Sequence, residues 1–322
     1  MMAQGVVLGF DTSCYTTSVA AVTAAGAVRA DRRKVLAVPQ GEIGLRQEAA
    51  LFQHWRNLPE LVAQVRAEVG EQVTAVAFTA LPRREKASYL PVFTAGANLA
   101  RSLAAVLQVP ALAFSHQEGH LAAGQAGAGG PQQRSFLAVH LSGGTTEILQ
   151  VERDDAGFAV TVLGKSLDLN AGQFVDRVGA ALGLPFPAGP HLEELARSGQ
   201  GLEFSLPSVV RGRDVSFSGP TSAALRQVER GAAKGTVARA VFRCIANTLE
   251  KVLRSAVREL GIKDVLLVGG VAGNSFLRTR LTARLEHRAV GARLFFAPPQ
   301  LSTDNAVGIA LLGCRALGRG HQ

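Results

Sequence analysis

Two stretches decide how this chain folds: Leu8-Gly-Phe-Asp-Thr-Ser-Cys-Tyr-Thr-Thr-Ser-Val-Ala20 and Val139-His-Leu-Ser-Gly-Gly-Thr-Thr-Glu-Ile-Leu149. Each reads as an apolar strand, a turn built from Gly, Ser and Thr, and a second strand. The same hairpin near the start and near the middle of a 322-residue chain reads as an internal duplication. Strand and helix patterns alternate around both copies. The chain is therefore expected to be α/β, with two domains that each carry a mixed sheet flanked by helices.

Working outward from the first hairpin, residues 27–35 fit a third strand and residues 45–69 a helical pattern interrupted by Pro59. A strand is expected over 73–78, a helix over 92–107 and a strand over 111–114, with Ser115 as the N-cap of the segment after it. Four glycines and a proline mark 124–134 as a loop. Beyond the second hairpin, Phe242, Ile245, Leu249 and Val252 draw one apolar stripe on a helix over 237–260. A buried-type strand over 265–268 runs into Gly269-Gly270-Val271-Ala272-Gly273-Asn274-Ser275, and a helix over 276–285 comes next. A strand over 293–296 precedes a final helix over 303–317, begun by Ser302 and Thr303.

Composition bounds the function. Hydrophobic residues make up 47% of the chain and charged residues 18%, enough apolar surface for two ordinary cores. No apolar run is long enough to span a bilayer, and the first residues do not read as a secretory signal, so a cytoplasmic protein is expected. Cys14, Cys244 and Cys314 are far apart and read as buried thiols. Net charge is +9, and from Arg211 to Arg258 ten Lys and Arg face three acids. That stretch fits either a polyanion such as RNA or a solvated helix face.

Turns of Gly, Ser and Thr leave backbone N–H groups open to phosphate oxygens. Two of them in duplicated positions, with a third glycine-rich element between a buried strand and a helix, suit a nucleotide. The spacing is neither a Rossmann nor a Walker fingerprint. In Ser115-His116-Gln117-Glu118-Gly119-His120, the two histidines share a helix face and can ligate one metal. A zinc peptidase needs Glu directly after the first His; Gln117 stands there. Asp304 reads as the start of the last helix, where an acid is a cap unless the fold returns it to the site. His140 lies within an apolar strand, as a core residue or a further imidazole.

Taken together and in this order, His116–His120, residues 142–146, 170–190, 216–219, 268–278 and 302–310 resemble the tRNA threonylcarbamoyltransferase (TsaD/KEOPS-type) family. The resemblance runs over residues 6–312 and implies the two-domain actin-like ATPase fold shared with Hsp70 and sugar kinases (ASKHA). It implies subdomains at 1–110 and 111–301, with 302–322 rejoining the first. It also implies metal ligation by His116, His120 and Asp304, to iron or zinc, with His140 as a candidate fourth ligand. His140, Leu141, Ser142, Gly143 and Gly144 would form the phosphate-side loop, Asp176 and Gly189 would hold the ribose or adenine, and Asn274 would bind near the phosphate. Threonylcarbamoyl-AMP or another adenine nucleotide, with magnesium if ATP binds, is the implied ligand. The implied acceptor is N6 of the tRNA adenosine 3′ of the anticodon. TsaD-type partner proteins or a homodimer are the implied assemblies. Asp11 stands where the family carries Glu. Tyr15, Thr16, Thr145, Gln173 and Thr221 also depart from the family pattern, as in a divergent bacterial paralogue. Two other functions fit the same residues: acyl transfer to an acceptor other than tRNA, and a non-catalytic nucleotide-binding partner.

Overall fold

The structure, a computed structural model, describes residues 5–39, 45–85, 88–154, 157–199 and 204–319. It divides into two compact units. The first comprises Met1–Gly127, Arg153–Phe158 and Thr303–Gln322; the second comprises Ala128–Glu152 and Ala159–Ser302.

In the first unit, β1 (Val6–Thr12) and β2 (Thr16–Thr23) form the predicted hairpin, with β3 (Val28–Val35) outside it. β4 (Val73–Leu81) runs parallel to β1, and β5 (Ala111–Ser115) parallel to β4, giving the order β3-β2-β1-β4-β5. α1 (Gln47–Glu68) and α2 (Phe93–Leu107) bury Leu58, Leu61, Val65, Ala97 and Ala100 against Phe10, Val19 and Phe78. Each large apolar side chain removed from water stabilises the unit by roughly 1.5–3 kcal/mol when fully buried. Pro59 does not interrupt α1. The helix forgoes the one bond proline cannot donate, because Leu58, Leu61 and Val65 hold its buried face in register.

The second unit repeats the plan. β6 (Ser135–Leu141) and β7 (Thr146–Arg153) form the second hairpin, followed by β8 (Phe158–Lys165). β11 (Asp264–Val268) runs parallel to β6 and β12 (Arg293–Phe296) parallel to β11. The order β8-β7-β6-β11-β12 is the order of the first sheet, strand for strand. β9 (Val209–Arg211) and β10 (Asp214–Ser216) make a separate small ladder. α4 (Ala171–Ala181), α5 (Gly189–Ser198), α6 (Ser218–Glu229), α7 (Lys234–Leu260) and α8 (Ser275–Leu285) complete this unit's main helices. The expected stripe of α7, Phe242, Ile245, Leu249 and Val252, is buried in its core. Gly261 ends α7 in the left-handed conformation, φ 69°.

Three expectations are corrected. Residues 124–128 are not loop but the last turn of α3 (His116–Ala128), where the burial of Gly124 and Gln125 holds the helix despite two glycines. The last helix, α10 (Val307–Arg319), begins after Asp304, which lies in the turn between α10 and the short α9 (Pro299–Ser302). The division between units falls after residue 127 rather than 110, because β5 pairs with β4 and α3 continues directly from β5. The histidine pair and Asp304 therefore belong to one unit. Among the described residues, no helix is long and apolar enough to cross a membrane.

Candidate metal centre and nucleotide-binding loops

α3 starts at the end of β5, and its first turn is locked by a reciprocal cap. Glu118 Oε2 accepts from the Ser115 N–H (3.0 Å) and hydroxyl (2.7 Å), and the Glu118 N–H donates to Ser115 Oγ (3.3 Å). Arg84 donates to Glu118 Oε1 at 2.6 Å. Glu118 is thus committed to the cap and cannot serve as a base beside the histidines.

The two histidines, one turn apart on α3, face each other with their Nε2 atoms 3.1 Å apart. Asp304 Oδ1 lies 3.5 Å from His116 Nε2 and 3.3 Å from His120 Nε2. With metal–ligand bonds of about 2.0–2.1 Å, neighbouring ligand atoms of a tetrahedral ion sit about 3.3–3.4 Å apart. The three measured edges match that figure. Two imidazole lone pairs aimed at one another need a proton or a cation between them. The donor set of two imidazoles and one carboxylate suits zinc or ferrous iron alike.

Glycine lets the carboxylate reach the histidines. A Cβ on Gly308 would run into the backbone of Gly119, and one on Gly119 would lie 2.9 Å from the Ile309 side chain. α10 can therefore cross α3 between the two histidines, placing Asp304 at its N-terminal approach. Ser13 Oγ donates to Asp304 Oδ2, and Arg33 donates to the Asp304 carbonyl at 3.4 Å.

Behind these three side chains lies a polar shell that sequence reasoning missed. Asp11, fully buried, faces His116 Nδ1 through Oδ1 at 3.0 Å and accepts from Thr79 Oγ1 at 2.6 Å. A proton on His116 Nδ1 directed at Asp11 leaves the Nε2 lone pair for the metal. The second Asp11 oxygen, Oδ2, is buried with no hydrogen-bond partner among the described residues. His54, also fully buried, bridges the Ser13 carbonyl and Thr17 Oγ1, both at 2.8 Å. The one signal in the sequence was a run of polar residues, Asp11 to Ser13, extending an otherwise apolar strand.

Burial alone would lower the pKa of His116. The Asp11 and Asp304 carboxylates overcome it and hold the imidazole well above its ordinary value. Burial would raise Asp304, yet His116 and His120 hold it well below the usual carboxylate range. Burial lowers His54, which stays neutral, and pushes the Cys14 thiol up. A thiol held protonated is a poor nucleophile.

In the second unit, Ser142–Gly144 form the tip of the β6–β7 turn. The Ser142 N–H donates to the Thr145 carbonyl (2.8 Å), and the Thr145 N–H to Ser142 Oγ (3.0 Å). Gly143 and Gly144 are exposed. Gly172, in the first turn of α4, packs on this tip; a Cβ there would lie 2.6 Å from the Gly143 nitrogen. Asp176 accepts from the Ala188 N–H at 2.9 Å, which sets it beside Gly189 at the start of α5. Burial raises its pKa. A Cβ on Gly189 would meet open space. Asn274 caps α8, its Oδ1 accepting from the Leu277 N–H at 3.0 Å, while its buried Nδ2 has no partner among the described residues. His140 and Leu141 end β6 in the sheet interior, His140 paired in register with Glu147 and Val268. His140 lies in the second unit, and the cluster of metal-ligating atoms found among the described residues is His116, His120 and Asp304.

Two five-stranded sheets of identical order define the actin-like, Hsp70 and sugar-kinase class of folds. Solved structures agree. Full-length HypF in its phosphate- and nucleotide-bound form superposes with a TM-score of 0.61 at 15% identity, covering 98% of this chain and 47% of HypF. The (R)-2-hydroxyglutaryl-CoA dehydratase component A of Acidaminococcus fermentans gives 0.57 at 18%, covering 97% and 99%. A ROK-family glucokinase from Streptomyces griseus gives 0.55 at 13%, covering 95% and 98%. Within that class the sequence is more specific. The family model for tRNA N6-adenosine threonylcarbamoyltransferase (TsaD) matches residues 33–311. The enzyme of that name from Polaromonas sp. is 33% identical over 98% of this chain and 94% of its own length. Its counterpart from Methanopyrus kandleri is 33% identical over 95% and 86%. The chain belongs to the TsaD family.

Proposed function

We propose that this protein transfers a threonylcarbamoyl group from threonylcarbamoyl-AMP to N6 of a tRNA adenosine, using a divalent metal held by His116, His120 and Asp304. The observation that carries this reading is the convergence of those three side chains on one point, in a chain that matches the family over most of its length. The donor is a mixed anhydride and already activated. The amine attacks the carbamoyl carbon, the bond to the phosphate oxygen breaks, AMP leaves and the amine proton is lost to solvent. No covalent nucleophile is needed, in keeping with the raised thiol of Cys14.

An iron or zinc ion held by His116, His120 and Asp304 would supply Lewis-acid stabilisation of oxygen charge. The remaining roles fall to the chain itself. Asp11 keeps His116 in the tautomer that ligates, and Ser13 orients Asp304. The backbone N–H groups of Gly143 and Gly144, in the loop that starts at His140 and Leu141, receive phosphate oxygens with Ser142. The buried Nδ2 of Asn274 donates to the same phosphate, and Asp176 and Gly189 hold the ribose. TsaD-type partner proteins or a second copy of the chain complete the working assembly.

The test is mass spectrometry of tRNA nucleosides after incubation with the purified protein, threonylcarbamoyl-AMP and iron or zinc, with and without TsaD-type partners. Threonylcarbamoyladenosine is expected, and His116→Ala should lower its yield by at least about tenfold, the low end of what loss of a metal ligand's support costs. Turnover unchanged by that substitution would remove the metal from the reaction.

A further inference from the structure

Part of the basic stretch between Arg211 and Arg258 lies along one line. Arg239, Arg243, Asn247, Glu250 and Arg254 recur at spacings of four, four, three and four on α7, which is one helix face. The row spans about 22 Å at 1.5 Å per residue. Opposite it, α8 presents Arg280 and Arg284. Arg280 donates to Asn247 Oδ1 at 2.7 Å, and Arg284 to Glu250 Oε1 at 2.9 Å. The C-terminal part of α5 adds Arg197, and between the three helices opens a cavity of about 430 Å3 whose lining includes Arg239, Phe276, Arg280 and Arg284. The Arg239 guanidinium lies over the Phe276 ring at 5.8 Å.

The charges along this groove do not cancel among the described residues. Glu250 takes Arg254 and Arg284, while Glu193 and Glu194 take Arg197. Arg239 donates to the Gly199 carbonyl and Arg280 to the Asn247 amide oxygen, acceptors that bring no countercharge. Burial, and then repulsion from Arg243, lowers the pKa of Arg280. An anion settling there would relieve that repulsion. A solvated, ion-paired helix face would alternate signs; here Arg239 and Arg280 line the cavity, and Arg243, one turn along α7 from Arg239, adds a third charge uncancelled among the described residues beside it. Guanidinium forks suit phosphate oxygens, which they can engage two at a time.

We propose that the α5–α7–α8 groove, centred on Arg239, Arg243 and Arg280, binds the phosphate backbone of the RNA substrate. Arg239 and Arg243, one turn apart on α7, and Arg280 across from them on α8 present guanidinium forks from two helices, which suits neighbouring phosphates of one backbone better than a single small anion. The inference rests on the tRNA-acceptor reading and adds to it a docking surface apart from the metal ligands.

The experiment is fluorescence anisotropy of a labelled tRNA transcript against the full-length protein over a range of salt, with adenine-nucleotide binding measured alongside. For Arg239→Gln/Arg280→Gln, tRNA affinity should fall about 10- to 30-fold near 0.1 M salt, and the log–log salt slope should shrink by about 1.5. Nucleotide affinity and melting temperature should hold. Arg243→Gln should act in the same direction with a smaller effect, which guards against misfolding of the double variant. Arg230→Gln, on the exposed end of α6, should bind tRNA as the unsubstituted protein does. Unchanged affinity and slope in both groove variants would overturn the proposal while leaving the transferase reading intact. So would an equal loss in Arg230→Gln, since diffuse charge would then explain the binding. Failure of the unsubstituted protein to bind tRNA at low salt would sink both readings.

Discussion

Asp11 does more than its place beside a turn suggests. It is a buried carboxylate whose partners are the Thr79 hydroxyl and Nδ1 of His116. Asp11→Asn keeps the volume and removes the charge that fixes the tautomer. Metal affinity should fall about 10- to 100-fold, read by titration with cobalt(II) and its visible spectrum, while the metal-free protein keeps its fold. His116 and Asp304 themselves set a pH dependence in the metal-free protein. Asp304 is held below its usual range, so its contribution to stability is present above about pH 4 and is lost as pH falls through the depressed value. His116 is held above its ordinary value, so its contribution is full below about pH 6.5 and is lost as pH rises through the raised value. The melting temperature of the metal-free protein should be highest between those limits, and Asp304→Asn should flatten the acid side. At this scale the histidines were legible from their spacing, because one turn of helix is a local rule. The shell of Asp11, Ser13, His54 and Thr79 was not, because its members meet only through sheet pairing and the packing of α1.

Helix crossings, more than helix propensities, bring Asp304 to the two histidines. Gly119 and Gly308 let α10 pass α3 at backbone contact, and Asp304 arrives with it. Gly308→Ala should destabilise the protein by roughly 1–3 kcal/mol in urea unfolding and weaken metal binding, although no ligand is changed. Loss of stability with metal affinity preserved would show that the crossing does not position Asp304. The errors of sequence reading at this scale share a cause. Glycine-rich 124–128 reads as loop and Pro59 as an interruption, yet tertiary packing overrides both local signals. The start of α10 was misplaced for the opposite reason. Ser302 and Thr303 look like caps, but the chain makes a further turn there that aims Asp304 at the histidines.

For the molecule as a whole, the duplication was legible because period-two strands and Gly/Ser/Thr turns repeat along the chain. The matched strand orders of the two sheets then result from building the same hairpin twice and adding two parallel strands. What the sequence could not show is that β5 and α3 stay with the first sheet, since only strand pairing settles it. That pairing keeps both histidines in the compact unit to which Asp304 also belongs, through the packing of α10 on β1, β2 and β4. The central claim, that these three side chains hold one metal, is tested most directly by counting metal. Protein loaded with iron or zinc and freed of excess ion should carry one equivalent per chain by mass spectrometry. His116→Ala, His120→Ala and Asp304→Ala should each lose most of it while remaining folded. A full equivalent retained in all three variants, or none bound by the unsubstituted protein, would contradict the account.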